Sequence, residues 1–363
     1  MANSQIKRVL IYRLGSLGDT VVALPSFHLV ARAFPDAERC LLTNFPVDPR
    51  APSAKSVLED SGLVHSYVPY PRGVRAPQQL KELATKIRRW KPDLLVYLAE
   101  PRGFKSLIRD VLFFKLCGIA KVIGVPWHKA ERQHSWMLAE GFYEPEAARL
   151  GRCLRVLGNV QLKDPSNWSL ALGDIVRERA DEILETSHFP APFIICSIGT
   201  KVEVKDWGGP NWTCLLRRLD REFHTLGLIM LGSAEEAHAS DEVAAQWHGP
   251  VLNLCGKLKP REAAAVIDRG LSFLGHDSGP MHLAAASGLP CTAVFSARSL
   301  PRIWFPYGEG HNIIYHRTAC AGCGLEQCLE FAKHCIRSIS VEEVYDAAAA
   351  TIRSAFSKRV AAE

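Results

Sequence analysis

A predicted strand that runs directly into a glycine turn and then into a helix opens the chain, and this unit limits the fold more than any other stretch. The apolar run Val9–Leu14 is typical of a buried strand, and Gly15, Gly18 and a periodic apolar helix follow it. A carboxylate, Asp19, lies at the start of that helix. Units of this kind build open parallel sheets, which bind ligands in the crevice beyond the carboxyl ends of their strands.

The spacing of these glycines excludes two common nucleotide-binding motifs. Gly15-x-x-Gly18 is neither the dinucleotide fingerprint G-x-G-x-x-G nor the phosphate loop G-x-x-x-x-G-K followed by Ser or Thr. A nicotinamide oxidoreductase is therefore disfavoured. Taken alone, the turn is equally consistent with an ordinary strand-to-helix connection in which Asp19 serves as a helix cap.

Apolar runs alternate with helical patterns along the whole chain, which predicts parallel sheets covered by helices on both faces. In the first half the predicted strands are Val9–Leu14, Cys40–Thr43, Leu94–Leu98 and Val122–Val125, and the predicted helices are Thr20–Ala33, Gln78–Trp90, Phe104–Leu116 and Ala147–Leu157. In the second half the predicted strands are Phe193–Ile198, Leu226–Leu231, Val251–Leu254, Leu271–Leu274 and Thr292–Phe295. The predicted helices there are Asp174–Glu185, Asn211–Phe223, Glu235–Trp247, Pro260–Arg269, Gly279–Ser287 and Val341–Phe356.

A more polar stretch between Leu162 and Pro190 marks the predicted domain boundary. We expect one Rossmann-like domain in residues 1–170 and a second in residues 171–340. A C-terminal helix within residues 341–363 is long enough to pack back on the first domain. With 363 residues, the chain can bury two cores of this kind. The predicted fold class is therefore α/β, with two doubly wound domains facing a central cleft.

Composition and charge favour a cytoplasmic protein with an anionic partner. No segment reaches the ~18 apolar residues that span a bilayer, and the amino terminus lacks a signal-peptide pattern. Eleven cysteines without such a signal favour thiols or a metal over a disulfide scaffold. The net charge of +6 is uneven, because residues 71–135 hold fourteen Lys and Arg against five Asp and Glu. This segment is either a solvated helix face or a surface that attracts an anionic polymer or membrane.

An anion site is predicted where the second half reads Asp277-Ser-Gly-Pro. The free N–H groups at the start of the Ala-rich helix favour negative charge, and Gly279 lets a phosphate approach the backbone closely. Asp277 is better suited to accept hydrogen bonds from sugar hydroxyls, because a phosphate repels a carboxylate. His282, in the first turn of this helix, faces either the ligand or the core.

Two other turns of the second half carry polar residues toward the same edge of the predicted sheet. Thr200 and Lys205 follow one strand, and Lys205 is either a counter-charge for a diphosphate or an ordinary surface lysine. Glu235 and Glu236 follow the next strand, where an acid typically accepts hydrogen bonds from ribose hydroxyls. The sequence leaves the choice between these two acids open.

Taken together, these motifs resemble the family 9 glycosyltransferases, whose best-known members are the ADP-heptose:lipopolysaccharide heptosyltransferases. The resemblance runs in order through nearly the whole chain, in Arg13–Thr20, Lys205-x-Trp207, Gly232, Gly256-Lys257 and Asp277-Ser-Gly-Pro-Met-His282. It implies a GT-B fold with an acceptor-binding first domain and a donor-binding second domain. It also implies inversion at the sugar without a metal.

The resemblance further implies roles at the matching positions. Asp19 is the candidate general base, with Gly15, Ser16 and Gly18 on the acceptor side. A helix amino terminus weakens a carboxylate as a base, so stabilising charge on the reacting sugar is an alternative role for Asp19. The implied donor-binding residues are Thr200 and Lys205 at the phosphates, Glu236 or Glu235 at the nucleoside, and Asp277, Ser278, Gly279 and His282 at the sugar and diphosphate.

One departure from the family pattern leaves a different donor open. Asp206 follows Lys205 where the family usually has a basic residue, and Gly208-Gly209 displace Pro210 from its usual place after the tryptophan.

The implied function is transfer of a sugar, with heptose from ADP-heptose as the first candidate, to a lipopolysaccharide core or a related glycan. The alternatives are a protein-directed heptosyltransferase and a non-catalytic protein that binds nucleotide sugars. The expected partners are an ADP-heptose-like donor and an anionic glycan or glycolipid acceptor, with peripheral contact at the cytoplasmic face of the inner membrane. No cofactor is expected to be required for catalysis, and no nucleic acid partner is expected.

Four cysteines, Cys320, Cys323, Cys328 and Cys335, lie within sixteen residues near the end of the chain. A C-x-x-C pair with two further cysteines is typical of a tetrahedral zinc or iron site. Some protein-directed heptosyltransferases use cysteines in this part of the chain for iron. The sequence is therefore compatible with a structural zinc or iron and with reduced thiols or disulfides that pack a loop.

Overall fold

The computed structural model describes residues 6–45, 52–70, 77–100, 102–138, 141–189 and 191–361. The chain divides into two compact units, Met1–Ala171 and Leu172–Glu363. The boundary predicted from the sequence, between residues 170 and 171, lies one residue earlier. In the described parts of the chain, no helix combines the length and the apolar character that crossing a membrane requires.

The first unit is built on a five-stranded parallel sheet in the order β3-β2-β1-β4-β5. Its strands are β1 (Arg8–Tyr12), β2 (Glu38–Asn44), β3 (Ser66–Tyr70), β4 (Leu94–Tyr97) and β5 (Lys121–Ile123), and a separate antiparallel pair is β6 (Trp136–Met137) with β7 (Phe142–Tyr143). Its helices are α1 (Leu17–Val22), α2 (Leu24–Ala33), α3 (Ala54–Leu58), α4 (Pro77–Trp90), α5 (Phe104–Leu116), α6 (Lys129–Arg132) and α7 (Glu146–Cys153). The strand order reverses between β1 and β4, so the loops after these two strands flank the crevice where such sheets bind ligands.

The second unit repeats this plan with six parallel strands in the order β10-β9-β8-β11-β12-β13. Its strands are β8 (Phe193–Ser197), β9 (Gly227–Met230), β10 (Val251–Asn253), β11 (Phe273–His276), β12 (Cys291–Phe295) and β13 (Asn312–Tyr315). Its helices are α8 (Asp174–Thr186), α9 (Gly209–Phe223), α10 (Ala237–Ala244), α11 (Pro260–Ile267), α12 (Gly279–Ala286), α13 (His334–Arg337) and α14 (Val341–Val360). Here the strand order reverses between β8 and β11.

The structure differs from the sequence prediction in the first helix and at the sheet edges. The predicted helix Thr20–Ala33 is two helices, because Pro25 near the start of α2 has no N–H to donate to the carbonyl of Val21. The strands β3 and β13 were not predicted. Pro69 argues against a central strand, but β3 lies at the sheet edge, where a proline is tolerated.

The C-terminal helix α14 buries its apolar face in the core of the second unit. Val344, Ala348 and Ile352 are at most 2% exposed and pack in the same cluster as Leu215 of α9. On the same helix, the hydroxyl of Thr351 forms a 3.0 Å hydrogen bond with that of Thr292 in β12. This face therefore anchors the helix in the second unit, and packing on the first domain stays a prediction.

A buried cluster of charges fixes α7 within the first unit. Arg149 donates from Nε and Nη2 to the two carboxylate oxygens of Glu146, both at 2.7 Å, and His134 lies 2.9 Å from the same carboxylate. Arg13 approaches Glu146 to 4.0 Å. Burial pushes the pKa of Glu146 up, but the hydrogen bonds from Arg149 and His134 and the charges of Arg149 and Arg13 outweigh it and hold the pKa at about 2.

We expect Glu146→Ala to lower the free energy of unfolding by roughly 3–5 kcal/mol, because it leaves the guanidinium of Arg149 buried without its counter-charge. The matched control is Glu182→Ala, which removes an ion pair of the same i,i+3 spacing that is exposed to solvent. The control should unfold at nearly the wild-type denaturant concentration. Equal losses in the two variants would contradict a structural role for the buried cluster.

The same cluster predicts a pH dependence of stability. The pKa of Glu146 in the folded protein lies below its ordinary value of 4.5, so its stabilising contribution is complete above that pH. The contribution is lost as the pH falls from 4.5 toward about 2. Denaturant unfolding at several pH values should show this loss in the wild type and a shallower loss in Glu146→Ala.

Candidate functional site

The loop after β1 folds the predicted acceptor-side residues into one compact turn. The Oδ2 atom of Asp19 accepts hydrogen bonds from the backbone N–H and the hydroxyl of Ser16, at 2.7 and 2.9 Å. Gly15 has a φ of +149°, and a Cβ at this position would lie 2.4 Å from the Cβ of Asp19, so the turn requires glycine. Gly18 lies in the first turn of α1, directly before Asp19.

Arg13, to which the sequence analysis gave no role, connects this turn to the neighbouring strand. Its guanidinium is 1% exposed and donates to the carbonyl oxygens of Leu98 and Asp19, both at 2.8 Å. Leu98 follows β4 and Asp19 lies in the first turn of α1, so Arg13 links the two segments that flank the switch between β1 and β4. The sequence signal that could have indicated this role is a charged residue directly after an apolar strand, because a charge buried there requires a specific partner.

Glu100 is a second carboxylate that the sequence analysis missed, and it follows β4 on the other side of the same switch point. The side chain keeps an exposed part, yet burial among the surrounding residues raises the pKa of Glu100. The negative charges of Glu146 and Asp19 raise this pKa further, while Arg13 and Arg149 lower it. The sequence signal was an acid soon after a buried strand, as at Asp277 in the second unit.

In the second unit the structure brings Lys205, Asp277 and His282 together beside the switch between β8 and β11. The ammonium of Lys205 lies 2.6 Å from Oδ2 of Asp277 and also donates to its backbone carbonyl at 3.2 Å. The ring of His282 lies 3.9 Å from the other carboxylate oxygen of Asp277. Asp277 and His282 are each 6% exposed, so this is a largely buried group of charges.

Ser278 gives this group an unused hydrogen-bond donor. It is the N-cap residue of α12, but its side chain makes no capping bond. Its hydroxyl oxygen is buried and has no hydrogen-bond partner among the residues that the structure describes. Gly279 begins the helix directly after it, so the free N–H groups of the first turn lie at the same place. The combination is suited to bind an anion.

A cavity of about 790 Å³ lies beyond β8 and β9, and one of the two predicted acids lines it. Thr200 and Glu236 line it, whereas Glu235 is exposed and lies outside its lining. Glu236 accepts a 2.7 Å hydrogen bond from the N–H of Ser233. A Cβ at Gly199 would lie 2.0 Å from the carboxyl group of Glu236, so the carboxylate rests against this stretch of backbone.

His276 holds the loop of Lys205 against the strand that leads to Asp277, and the sequence analysis missed it. Its Nε2 atom accepts hydrogen bonds from the backbone N–H of Trp207 at 3.0 Å and the indole N–H of Trp212 at 3.3 Å. The ring is therefore neutral, with its proton on Nδ1. Complete burial lowers the pKa of His276 to about 4, so the ring stays neutral at physiological pH. The sequence signal that could have indicated this role is a histidine at the end of an apolar strand.

The structure does not arrange the four C-terminal cysteines as a metal-binding group. Within the described ranges of the chain, no three His, Cys, Asp or Glu side chains are placed to hold a metal ion, and all four thiols are free. Their loop is held by backbone hydrogen bonds instead: the N–H of Gly322 donates to Ala297 at 2.8 Å, and that of Gly324 to Arg298 at 2.9 Å. The C-x-x-C spacing permits a metal site but does not fix the loop conformation that one requires.

The sequence is similar to known heptosyltransferases. The family model of glycosyltransferase family 9 (heptosyltransferase) matches residues 106–334. Lipopolysaccharide heptosyltransferase 1 of Pseudomonas aeruginosa is 24% identical over 343 residues, which cover 88% of this chain and 87% of that protein. Lipopolysaccharide heptosyltransferase 3 of Escherichia coli is 32% identical over 111 residues, which cover 30% of this chain and only 31% of that protein.

The fold is similar to that of a solved heptosyltransferase structure. Escherichia coli ADP-heptose lipopolysaccharide heptosyltransferase II aligns with a TM-score of 0.65 at 16% identity, over 96% of this chain and 99% of the other. Together with the two parallel sheets, this similarity confirms the predicted GT-B class of two Rossmann-like domains. The family model matches more than half of the 363 residues of this chain. The chain therefore belongs to glycosyltransferase family 9, the heptosyltransferases.

Proposed function

We propose that the protein is an inverting glycosyltransferase that transfers heptose from ADP-heptose to a glycan of the lipopolysaccharide core. The observation that carries this proposal is the group formed by Lys205, Asp277 and the unpaired hydroxyl of Ser278 at the start of α12. Such a group offers a cation and free donors to a diphosphate, and a carboxylate to the hydroxyls of a sugar. The names of the relatives and of the solved structure support ADP-heptose as the donor and lipopolysaccharide as the acceptor.

In the proposed reaction, the donor side stabilises the leaving group. The bond between the anomeric carbon and the diphosphate oxygen breaks, and its electron pair remains on the phosphate. Lys205, the hydroxyl of Ser278 and the N–H groups of the first turn of α12 stabilise that charge. Asp277 accepts hydrogen bonds from the heptose hydroxyls. Thr200 binds the phosphates, and Glu236 accepts hydrogen bonds from the nucleoside in the cavity beside it.

On the acceptor side, Asp19 takes the proton from the acceptor hydroxyl as its oxygen attacks the anomeric carbon. The attack comes from the face opposite the diphosphate, which inverts the configuration. Ser16 engages Oδ2 of Asp19, so Oδ1 is the oxygen assigned to the acceptor. Glu100, on the other side of the switch point, accepts a second hydrogen bond from the acceptor sugar and orients it.

The acceptor is proposed to be a glycolipid at an anionic membrane face. The excess of cations in residues 71–135 supports this assignment, since clustered Lys and Arg attract anionic surfaces. Two of the cations, Arg72 and Arg75, lie outside the described residues. The test of the overall function is release of ADP from ADP-heptose in the presence of a lipopolysaccharide-core saccharide. Donor binding without any release would instead support a non-catalytic nucleotide-sugar-binding protein.

We expect Asp19→Asn to reduce transfer by roughly 10²–10⁴-fold, the usual effect of losing a general acid–base group. Donor affinity, measured by calorimetry with ADP, should stay within about twofold of the wild type, because the proposed donor ligands belong to the second unit. Asp174→Asn is the matched control, since Asp174 is also an acid in the first turn of a helix but is exposed. Near-normal turnover of Asp19→Asn would exclude the proposed base.

We expect Ser278→Ala to weaken binding of ADP by roughly tenfold, about 1.4 kcal/mol, because it removes one hydrogen bond to a charged group. The melting temperature of the ligand-free protein should not fall, because this hydroxyl has no protein partner to lose. Ser287→Ala, at the other end of the same helix, is the control. Unchanged affinity in Ser278→Ala would remove this hydroxyl from the donor site.

A further inference from the structure

The outer surface of α5 is unusual because every exposed position on it is either large and apolar or cationic. The exposed apolar residues are spaced by four: Phe104 (49% exposed), Ile108 (39%), Leu112 (56%) and Leu116 (73%). The remaining exposed positions of the helix are Lys105, Arg109 and Lys115. The opposite side of α5 packs into the core of the first unit through buried residues that include Leu107 and Phe114. The apolar row is therefore additional to the residues that hold the helix in place.

The only acid of α5 is directed away from this outer face. The side chain of Asp110 is 7% exposed, accepts a 3.1 Å hydrogen bond from the hydroxyl of Tyr97 and pairs with Arg109 at 2.8 Å. The structure describes α5 along its whole length. Along that length, its exposed surface carries positive charge and no negative charge. A stripe of large apolar residues flanked by cations is typical of a helix that lies in the interface of an anionic bilayer.

Cations and an exposed tryptophan extend the surface at both ends of the row. The guanidinium of Arg132 lies 5.2 Å from the ring centre of Phe104 and also donates to the backbone carbonyl of Trp127. Trp127 is 45% exposed, and tryptophan favours membrane interfaces. At the other end, Arg88 of α4 donates to the carbonyl of Leu116 at 2.8 Å. The positive charge thus surrounds the apolar row.

We propose that this outer face of α5 binds directly to an anionic lipid bilayer. The apolar side chains enter the boundary between the headgroups and the acyl chains, and the lysines and arginines lie at the level of the lipid phosphates. A bilayer is favoured over a protein partner or a second copy of the chain because the charge on the exposed face has a single sign. The inference extends the proposed glycolipid acceptor, but lipid binding can be measured without any turnover.

The test is co-sedimentation of the full-length protein with vesicles of phosphatidylcholine alone and with vesicles that also contain phosphatidylglycerol. The wild type should bind the anionic vesicles at least roughly tenfold better, and high salt should weaken this binding. Leu112→Gln with Leu116→Gln should reduce binding to the anionic vesicles by roughly tenfold or more. The matched control is Ile175→Gln with Leu329→Gln, which removes two exposed apolar side chains of the second unit and should bind like the wild type.

Two further measurements complete the test. Lys105→Gln with Lys115→Gln should reduce the salt-sensitive part of the binding and leave the circular dichroism spectrum unchanged. ADP release with a water-soluble core saccharide should be the same in the wild type and in Leu112→Gln with Leu116→Gln. Failure of release in both proteins would count against the proposed function and leave the vesicle result standing. The bilayer inference would be overturned if the wild type and the leucine variant bound anionic vesicles equally well. It would also be overturned if the wild type sedimented as a dimer and the leucine variant as a monomer.

Discussion

The buried guanidinium of Arg13 is the interaction on which the crevice of the first unit depends. A cation that is 1% exposed is costly to bury without partners, and here Nη1 and Nη2 donate to the backbone carbonyls of Leu98 and Asp19. These carbonyls belong to the loop after β4 and to the first turn of α1, on the two sides of the reversal of strand order. The same guanidinium lies 4.0 Å from Glu146, which Arg149 holds in a bidentate pair. The positions of Asp19 and Glu100 therefore follow from one network of buried charge.

In the second unit, a neutral histidine ring and an ion pair hold the loops beside the reversal of strand order. His276 accepts two hydrogen bonds on Nε2, so it remains uncharged while it fixes the segment of Trp207. Lys205, two residues earlier in that segment, then meets Asp277, which directly follows His276. In both units the fourth strand in sheet order is followed by an acid, Glu100 after β4 and Asp277 after β11. The two sheets thus place carboxylates at equivalent edges.

The sequence predicted the features that depend on neighbours in the chain. The strand–turn–helix at Asp19 and the start of α12 at Ser278 are local, and both lie where the spacing of apolar residues and glycines indicated. Arg13, Glu100 and His276 were missed because they interact with residues that are distant in the sequence and lie in other loops and helices. For the C-terminal helix, the amphipathic pattern shows that α14 has an apolar face but not which core receives it. Likewise, the cysteine spacing does not specify how the loop folds.

The ion pair between Lys205 and Asp277 also bears on which anions the second unit admits. The charge of the lysine is already balanced at 2.6 Å, so an incoming anion must compete with an internal carboxylate. A small inorganic ion can replace that carboxylate beside the lysine, but it provides no hydrogen-bond donors for the released aspartate. In the proposed function, the phosphates of a nucleotide sugar bind the lysine while the sugar hydroxyls donate to the aspartate. Under that proposal, the ion pair favours a ligand that carries both parts over free phosphate.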